Sequence, residues 1–224
     1  MDVCEAIRSR FTCRAFRPTP VPQATVAAIL ELAGRAPSGG NLQPWRVWAL
    51  AGDDLEALKA KVRAQTAAGQ LFEGEVEYAI YPEPLKEPYA GRRFRNGEAW
   101  YGALGIARDD MAARIRQVSA NFELYGAPVG LFLAVDRRMG PPQWADLGLF
   151  LQTLMLAAKG HDLDTAPLEA WSLWPRTVRE HLGMPDELML FCAVALGEAD
   201  REARANGFRA EREPLEAFAT FRGF

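Results

Sequence analysis

Three arginines stand close together near the start of the chain, Arg8, Arg10 and Arg14, with Thr12 among them. Alternate side chains of an extended backbone point the same way. An extended segment here therefore puts Arg10, Thr12 and Arg14 on one side. Two guanidiniums and a hydroxyl so placed suit a phosphate, which accepts several charge-assisted hydrogen bonds. A solvated basic stretch is the competing reading. The second candidate is the run Pro37, Ser38, Gly39, Gly40, Asn41. Its glycines lack a Cβ and let a ligand approach the backbone closely. Ser38, Asn41 and Gln43 offer hydrogen bonds. A plain turn between helix and strand uses the same residue types. The third is Pro167, Leu168 and Glu169, a lone acid in a mostly apolar segment, which also reads as a surface loop. The fourth is Arg209 with Arg212, by themselves a charge run.

No nucleophile or acid–base dyad stands out, so no residue is assigned a catalytic role. The chain has only two histidines, His161 and His181, and its three cysteines, Cys4, Cys13 and Cys192, have neither C-x-x-C nor zinc spacing. No metal site is expected.

The elements that must position these groups follow from periodicity and punctuation. Residues 2–9 read as a short helix capped by Asp2, with Glu5 three residues on. Pro22 suits the first position of a second helix, in which Val26, Ile29, Leu30 and Ala33 form one apolar stripe. That helix ends near Gly34. Residues 45–50 read as a strand. Asp53 or Asp54 is expected to cap a helix that turns Leu55, Leu58 and Val62 inward. Residues 81–88 are proline-punctuated and irregular. Helices follow over about 90–106 and 109–123, then a buried strand over 128–136. Residues 144–159 form a helix apolar nearly all round, expected to be buried on every side. A last buried strand spans 188–196. The order predicts one α+β domain over 1–224. Residues 197–224 form a charged tail that still carries Phe208, Leu215, Phe218, Phe221 and Phe224, so it should pack on something.

Composition excludes some classes. The chain has 224 residues, is 49% hydrophobic and 25% charged, and carries a net charge of −3. An acidic balance argues against nucleic acid, despite "GRRFR" at 91–95. The longest apolar stretch, about 147–158, falls short of the ~20 residues of a membrane span. The N-terminus lacks an apolar signal core. A reducing cytoplasm is the expected location.

The four candidates gain meaning together. The sequence resembles the FMN-dependent nitroreductase family, and most closely its nitroaromatic and nitrobenzoate reductase branch. The resemblance rests on "R-x-[ST]-x-[RK]-x-F", here Arg10-Phe11-Thr12-Cys13-Arg14-Ala15-Phe16, and on "A-P-S-x-x-N-x-Q-P-W", intact over 36–45. It rests also on "P-x-E" at Pro167, Leu168, Glu169 and on a late arginine before a proline, Arg212. It implies a mainly antiparallel sheet flanked by helices, in an intertwined homodimer whose C-terminal tail wraps the partner. It implies FMN held by Arg10, Phe11, Thr12, Arg14, Arg209 and Arg212 around the phosphate. Pro37, Ser38, Gly39 and Asn41 from one subunit, and Pro167, Leu168 and Glu169 from the other, would flank the ring. It implies ping-pong hydride transfer from the co-substrate NAD(P)H to a nitroaromatic or quinone. Other chemistry on the fold (dehalogenation, ring dehydrogenation, flavin destruction) or a flavin-binding protein without turnover are the alternatives. The sequence departs from the branch at Asp162, Ala166 and Glu198, which leaves acceptor preference open.

Overall fold

The computed structural model describes residues 1–74 and 76–224. Its centre is one sheet of four strands: β1 (Arg46–Ala51), β2 (Val129–Asp136), β3 (Asp164–Leu168) and β4 (Leu188–Gly197). The spatial order is β1-β2-β4-β3, and every adjacent pair is antiparallel. The α+β reading and the mainly antiparallel sheet therefore hold. No helix among the described residues is long and apolar enough to cross a membrane.

The central strands are buried on both faces, so they read as unbroken apolar runs rather than as alternations. Successive side chains still divide between two layers. Phe132 and Ala134 join the core beneath α3 (Gly52–Ala67) and α7 (Pro175–Leu182), with Leu58, Val62, Trp171 and Trp174. Leu131, Leu133 and Val135 join the opposite core. That core is closed by Ile29 and Ala33 of α2 (Gln23–Ala33) and by Leu147, Phe150 and Leu154 of α6 (Pro141–Gly160). A bulge between Leu133 and Ala134 leaves Phe191 without a partner in the register. The Tyr78 hydroxyl donates to the Phe191 carbonyl and so fastens the preceding irregular segment to the sheet.

Several local expectations need correction. Asp53 and Asp54 do not cap α3. Gly52, at φ +58°, turns the chain straight off β1, so both acids fall in the first turn, where they complement the helix dipole. Pro22 is the cap of α2 rather than its first residue. The helix expected over 109–123 stops at Ser119 as α5 (Met111–Ser119). A 3₁₀ turn, Ala120–Gly126, follows, with Leu124 and Tyr125 left-handed. Burial of Leu124 in the core offsets that strain. The segment around Pro167 is strand β3, not a loop. It lies at the sheet edge, where proline removes no ladder bond that the sheet needs. Helix α6 is not buried on every side: Ala145, Gly148, Leu149 and Gln152 form an exposed stripe, because the sheet and α2 cover only the opposite face.

The tail contains two short 3₁₀ turns, Arg204–Gly207 and Leu215–Ala217. Phe208 packs edge-on against Trp100 of α4 (Tyr89–Leu104). Phe218, Phe221 and Phe224 are exposed.

The cysteines divide by burial. Cys4 is exposed, whereas Cys13 and Cys192 are buried. Burial pushes the Cys13 thiol up to about 11. Burial raises Cys192 too. A thiolate is needed for alkylation. A maleimide at pH 8 should therefore label Cys4 alone in the folded protein and all three thiols in denaturant. Labelling of Cys13 at the rate of Cys4 would contradict this packing.

Candidate functional site

The arginine-rich motif begins where α1 (Val3–Ser9) ends. The Asp2 side chain caps this helix by accepting from the Cys4 and Glu5 amides at 2.7 and 3.1 Å. The chain becomes extended at Arg10. It then touches the sheet edge: Thr12 forms a parallel bridge with Thr165, and the Cys13 amide donates to the Thr165 carbonyl at 2.9 Å. Phe11 and Cys13 turn into the core, while Arg10, Thr12 and Arg14 stay half-buried on the other side. The alternation expected from the sequence is present.

The tail meets this motif. Phe16 bridges Ala199, the Arg17 amide donates to the Glu198 carbonyl, and the Asp200 amide donates to the Ala15 carbonyl. A cavity of about 700 Å³ lies between them. Arg8, Arg10, Thr12, Arg14, Arg209 and Arg212 line it, and among the described residues its lining contains no aspartate or glutamate. The arginines rest on neutral supports. The Arg209 guanidinium lies 4.1 Å over the Phe11 ring and donates to the Asn206 and Phe208 carbonyls. That of Arg14 lies 4.4 Å over the Trp100 ring. Burial, and then the like charge of Arg212, lower the Arg10 guanidinium below its ordinary value. Trp100 thus supports Arg14, and Phe122 packs in the core against Trp171 and Trp174. Arg92 and Arg95 of α4 pair with Glu213 of the tail, at 2.6 and 4.0 Å.

The second candidate is a tight 3₁₀ turn, Gly39–Asn41, in which Gly40 and Asn41 have positive φ, as does Gln43 just beyond it. Asparagine tolerates that region and glutamine much less so. The turn is held by named bonds. The Gln43 amide donates to Ser38 Oγ at 2.9 Å, and the Asn41 amide to the Ser38 carbonyl at 2.9 Å. The Gly39 amide donates to both carboxylate oxygens of buried Asp146, at 3.2 and 3.3 Å. Behind the turn, Trp45 stacks on Phe150 of α6. In front of Gly39 there is open space: an added Cβ would meet no atom within 4 Å.

The third group closes β3. Leu168 is buried, Pro167 half-buried, and Glu169 opens to solvent at the start of the 3₁₀ turn Glu169–Leu173. The packed neighbours of Glu169 still desolvate its carboxyl and raise it above the usual value. At ~3.3 Å per strand residue, Glu169 lies about 13 Å along the edge from Thr165, where the arginine motif docks. One chain thus brings the N-terminal and C-terminal arginines to one cavity. It does not place Pro37–Asn41 or Pro167–Glu169 in that lining. Among the described residues, no cluster of three or more His, Cys, Asp or Glu could hold a metal.

Residues 7–198 match the sequence profile of the nitroreductase family. The chain belongs to this family. A chloronitrobenzene nitroreductase of Comamonas testosteroni is 41% identical, the match covering 97% of this chain and 95% of the relative. A 4-nitrobenzoate reductase of Pseudomonas putida is 35% identical over 100% of this chain and 96% of its own. Among solved structures, the FMN and NADPH-dependent nitroreductase NfnB from Sphigopyxis sp. strain HMH superposes with a TM-score of 0.95 at 45% identity, each chain covered in full.

Two residues of this nitroreductase escaped sequence reasoning. Asp146 was visible only as an acid inside an apolar helix. Asn206 sits in a charged tail and gives no local signal. Removing Asp146 takes away the charged acceptor of the Gly39 amide, a hydrogen bond worth about 1.5–3 kcal/mol. Asp146→Ala should lower the denaturant midpoint accordingly, and Asp146→Asn, which keeps an acceptor, should lower it less. An unchanged midpoint for Asp146→Ala would show that the turn is held elsewhere.

Proposed function

We propose that this protein is an FMN-dependent nitroreductase that oxidises NADPH and reduces nitroaromatic compounds. The carrying observation is the arginine cavity: Arg8, Arg10, Arg14, Arg209 and Arg212 face one space, and among the described residues no carboxylate in its lining balances them. Such a cavity fits a terminal phosphate, which supplies the missing negative charge. The phosphate of FMN would be held by Arg10, Thr12, Arg14, Arg209 and Arg212, with Phe11 supporting Arg209 from beneath. When bound, FMN supplies the redox chemistry, accepting a hydride from NADPH and passing it to the acceptor. The relatives named for chloronitrobenzene and 4-nitrobenzoate support a nitroaromatic acceptor.

The residues around the ring come from two copies of the chain in this reading. Pro37, Ser38, Gly39 and Asn41 present backbone and small polar groups, with open space before Gly39. Pro167, Leu168 and Glu169 of the other copy would flank the ring. The exposed stripe of α6 and the exposed Phe218, Phe221 and Phe224 supply apolar surface for such a homodimer. The open space before Gly39 would admit NADPH and a nitroarene in turn. The protons that the nitro group takes up as it loses water would come from solvent, and no side chain is assigned as acid or nucleophile.

The yellow absorbance of FMN-loaded protein should bleach on anaerobic addition of NADPH and return on addition of a nitrobenzoate. Double-reciprocal plots should be parallel, and intersecting lines would overturn the alternating occupancy. Each lost charge-assisted bond is worth about 1.5–3 kcal/mol. Arg14→Ala and Arg212→Ala should therefore each weaken FMN by roughly tenfold to a hundredfold in a fluorescence titration. Unchanged affinity in both would overturn the phosphate assignment.

A further inference from the structure

We infer that Asn206 is the positioning residue that joins the two halves of the phosphate cavity, acting through Arg209. The inference rests on the flavin-phosphate reading above. The cavity is assembled from segments almost two hundred positions apart in the chain, so something must fix the tail against the N-terminal motif. Asn206 is one of few buried polar residues in the protein, 5% exposed, and it is placed at that joint. Its Oδ1 accepts from the Arg14 amide at 2.8 Å. Its Nδ2 donates to the Ala15 carbonyl at 2.7 Å and to the Asp200 carbonyl at 2.7 Å. One side chain thus ties the arginine motif and the beginning of the tail together. Its own backbone carbonyl then accepts from Arg209 at 2.7 Å, which aims that guanidinium over Phe11 and along the cavity.

The residue type is demanded by the site. The joint needs one acceptor and two donors, which the asparagine amide supplies at once. Aspartate has no donor for the two carbonyls, and it would bring a negative charge beside arginines that must stay free for an anion. A cation would add to the like charge of Arg212 that, after burial, already depresses Arg10. A neutral bidentate linker holds the arginines in register while leaving their charge uncompensated. Asn206 lines no part of the cavity itself, so its effect on a ligand is indirect.

The test is a double-mutant cycle on FMN affinity, read by quenching of flavin fluorescence well below each variant's unfolding temperature. Asn206→Ala should weaken FMN about tenfold, and Arg209→Ala by a similar factor. The double variant should be weaker than Arg209→Ala by no more than about twofold, because the second change removes what the first has already lost. Asn206→Ser, which keeps one donor, should lose less than Asn206→Ala, and Asn206→Asp should lose more; this series reads the effect even if alanine folds poorly. Multiplicative losses in the double variant, or a folded Asn206→Ala with wild-type affinity, would overturn the inference and leave the flavin reading intact. A wild-type protein that does not bind FMN would overturn both.

Discussion

Like charges confined to one cavity, with no carboxylate among the described residues of its lining, set the terms for the rest of the molecule. Arg8, Arg10, Arg14, Arg209 and Arg212 repel one another, and folding must gather them anyway. Carboxylates would relieve the repulsion but would also fill the place of an anionic ligand. The chain relieves it with neutral partners instead: the faces of Phe11 and Trp100, and the carbonyls of Asn206, Phe208, Ala210 and Glu211. Each is a weaker partner than a carboxylate, so the arrangement keeps electrostatic energy in reserve for a ligand. The nearby acids are placed elsewhere. Glu213 pairs with Arg92 on α4, and Asp164 accepts from buried Lys159 at 2.8 Å and from Arg201 at 3.2 Å.

The sheet makes this gathering possible. Asp164, at the start of β3, lies opposite Gly197, at the end of β4. The tail therefore leaves the sheet at the end where Thr12 docks beside Thr165. The same edge strand carries its other end to Leu168 and Glu169. Two candidate groups separated by some 150 positions are thus linked by five residues of one strand. Packing on both faces of β2 and β4 fixes that geometry, since a one-residue slip would turn Phe132 and Leu131 into the wrong cores. A fold that held the strands loosely would not keep arginines from the two ends of the chain facing one cavity.

What could be read from the sequence follows the range of the interactions. The alternation of Arg10, Thr12 and Arg14 against Phe11 and Cys13 was legible, because it has period two and needs only an extended backbone. The stripe of Val26, Ile29 and Ala33 was legible for the analogous reason in a helix. Strand β3 was not, since Pro167 weighs against a strand unless the strand is known to lie at an edge, and edges are set by the whole sheet. The cap of α3 was misread because Gly52 makes the turn that an aspartate usually makes. The apolar face of α6 left uncovered by its own chain could not be told from a buried one by composition. Asp146 and Asn206 act across 107 and 192 positions, and nothing in their immediate neighbours announces the partner.

The turn at Gly39–Asn41 shows how a strained segment is stabilised without obstructing what it serves. Asn41 and Gln43 sit in the left-handed region, which costs of order 1–3 kcal/mol for each such residue unless neighbours compensate. The compensation comes from behind and within the turn: the Ser38 hydroxyl and carbonyl, the Trp45–Phe150 stack, and the Asp146 carboxylate under the Gly39 amide. None of these bonds uses the outer side of Gly39, which stays open. A bulkier residue could fill that side and stabilise the turn more simply, yet it would close the open space in front of it. Glycine in front and a buried acid behind therefore belong to one solution: the rigidity is supplied from the core so that the exposed surface can remain bare.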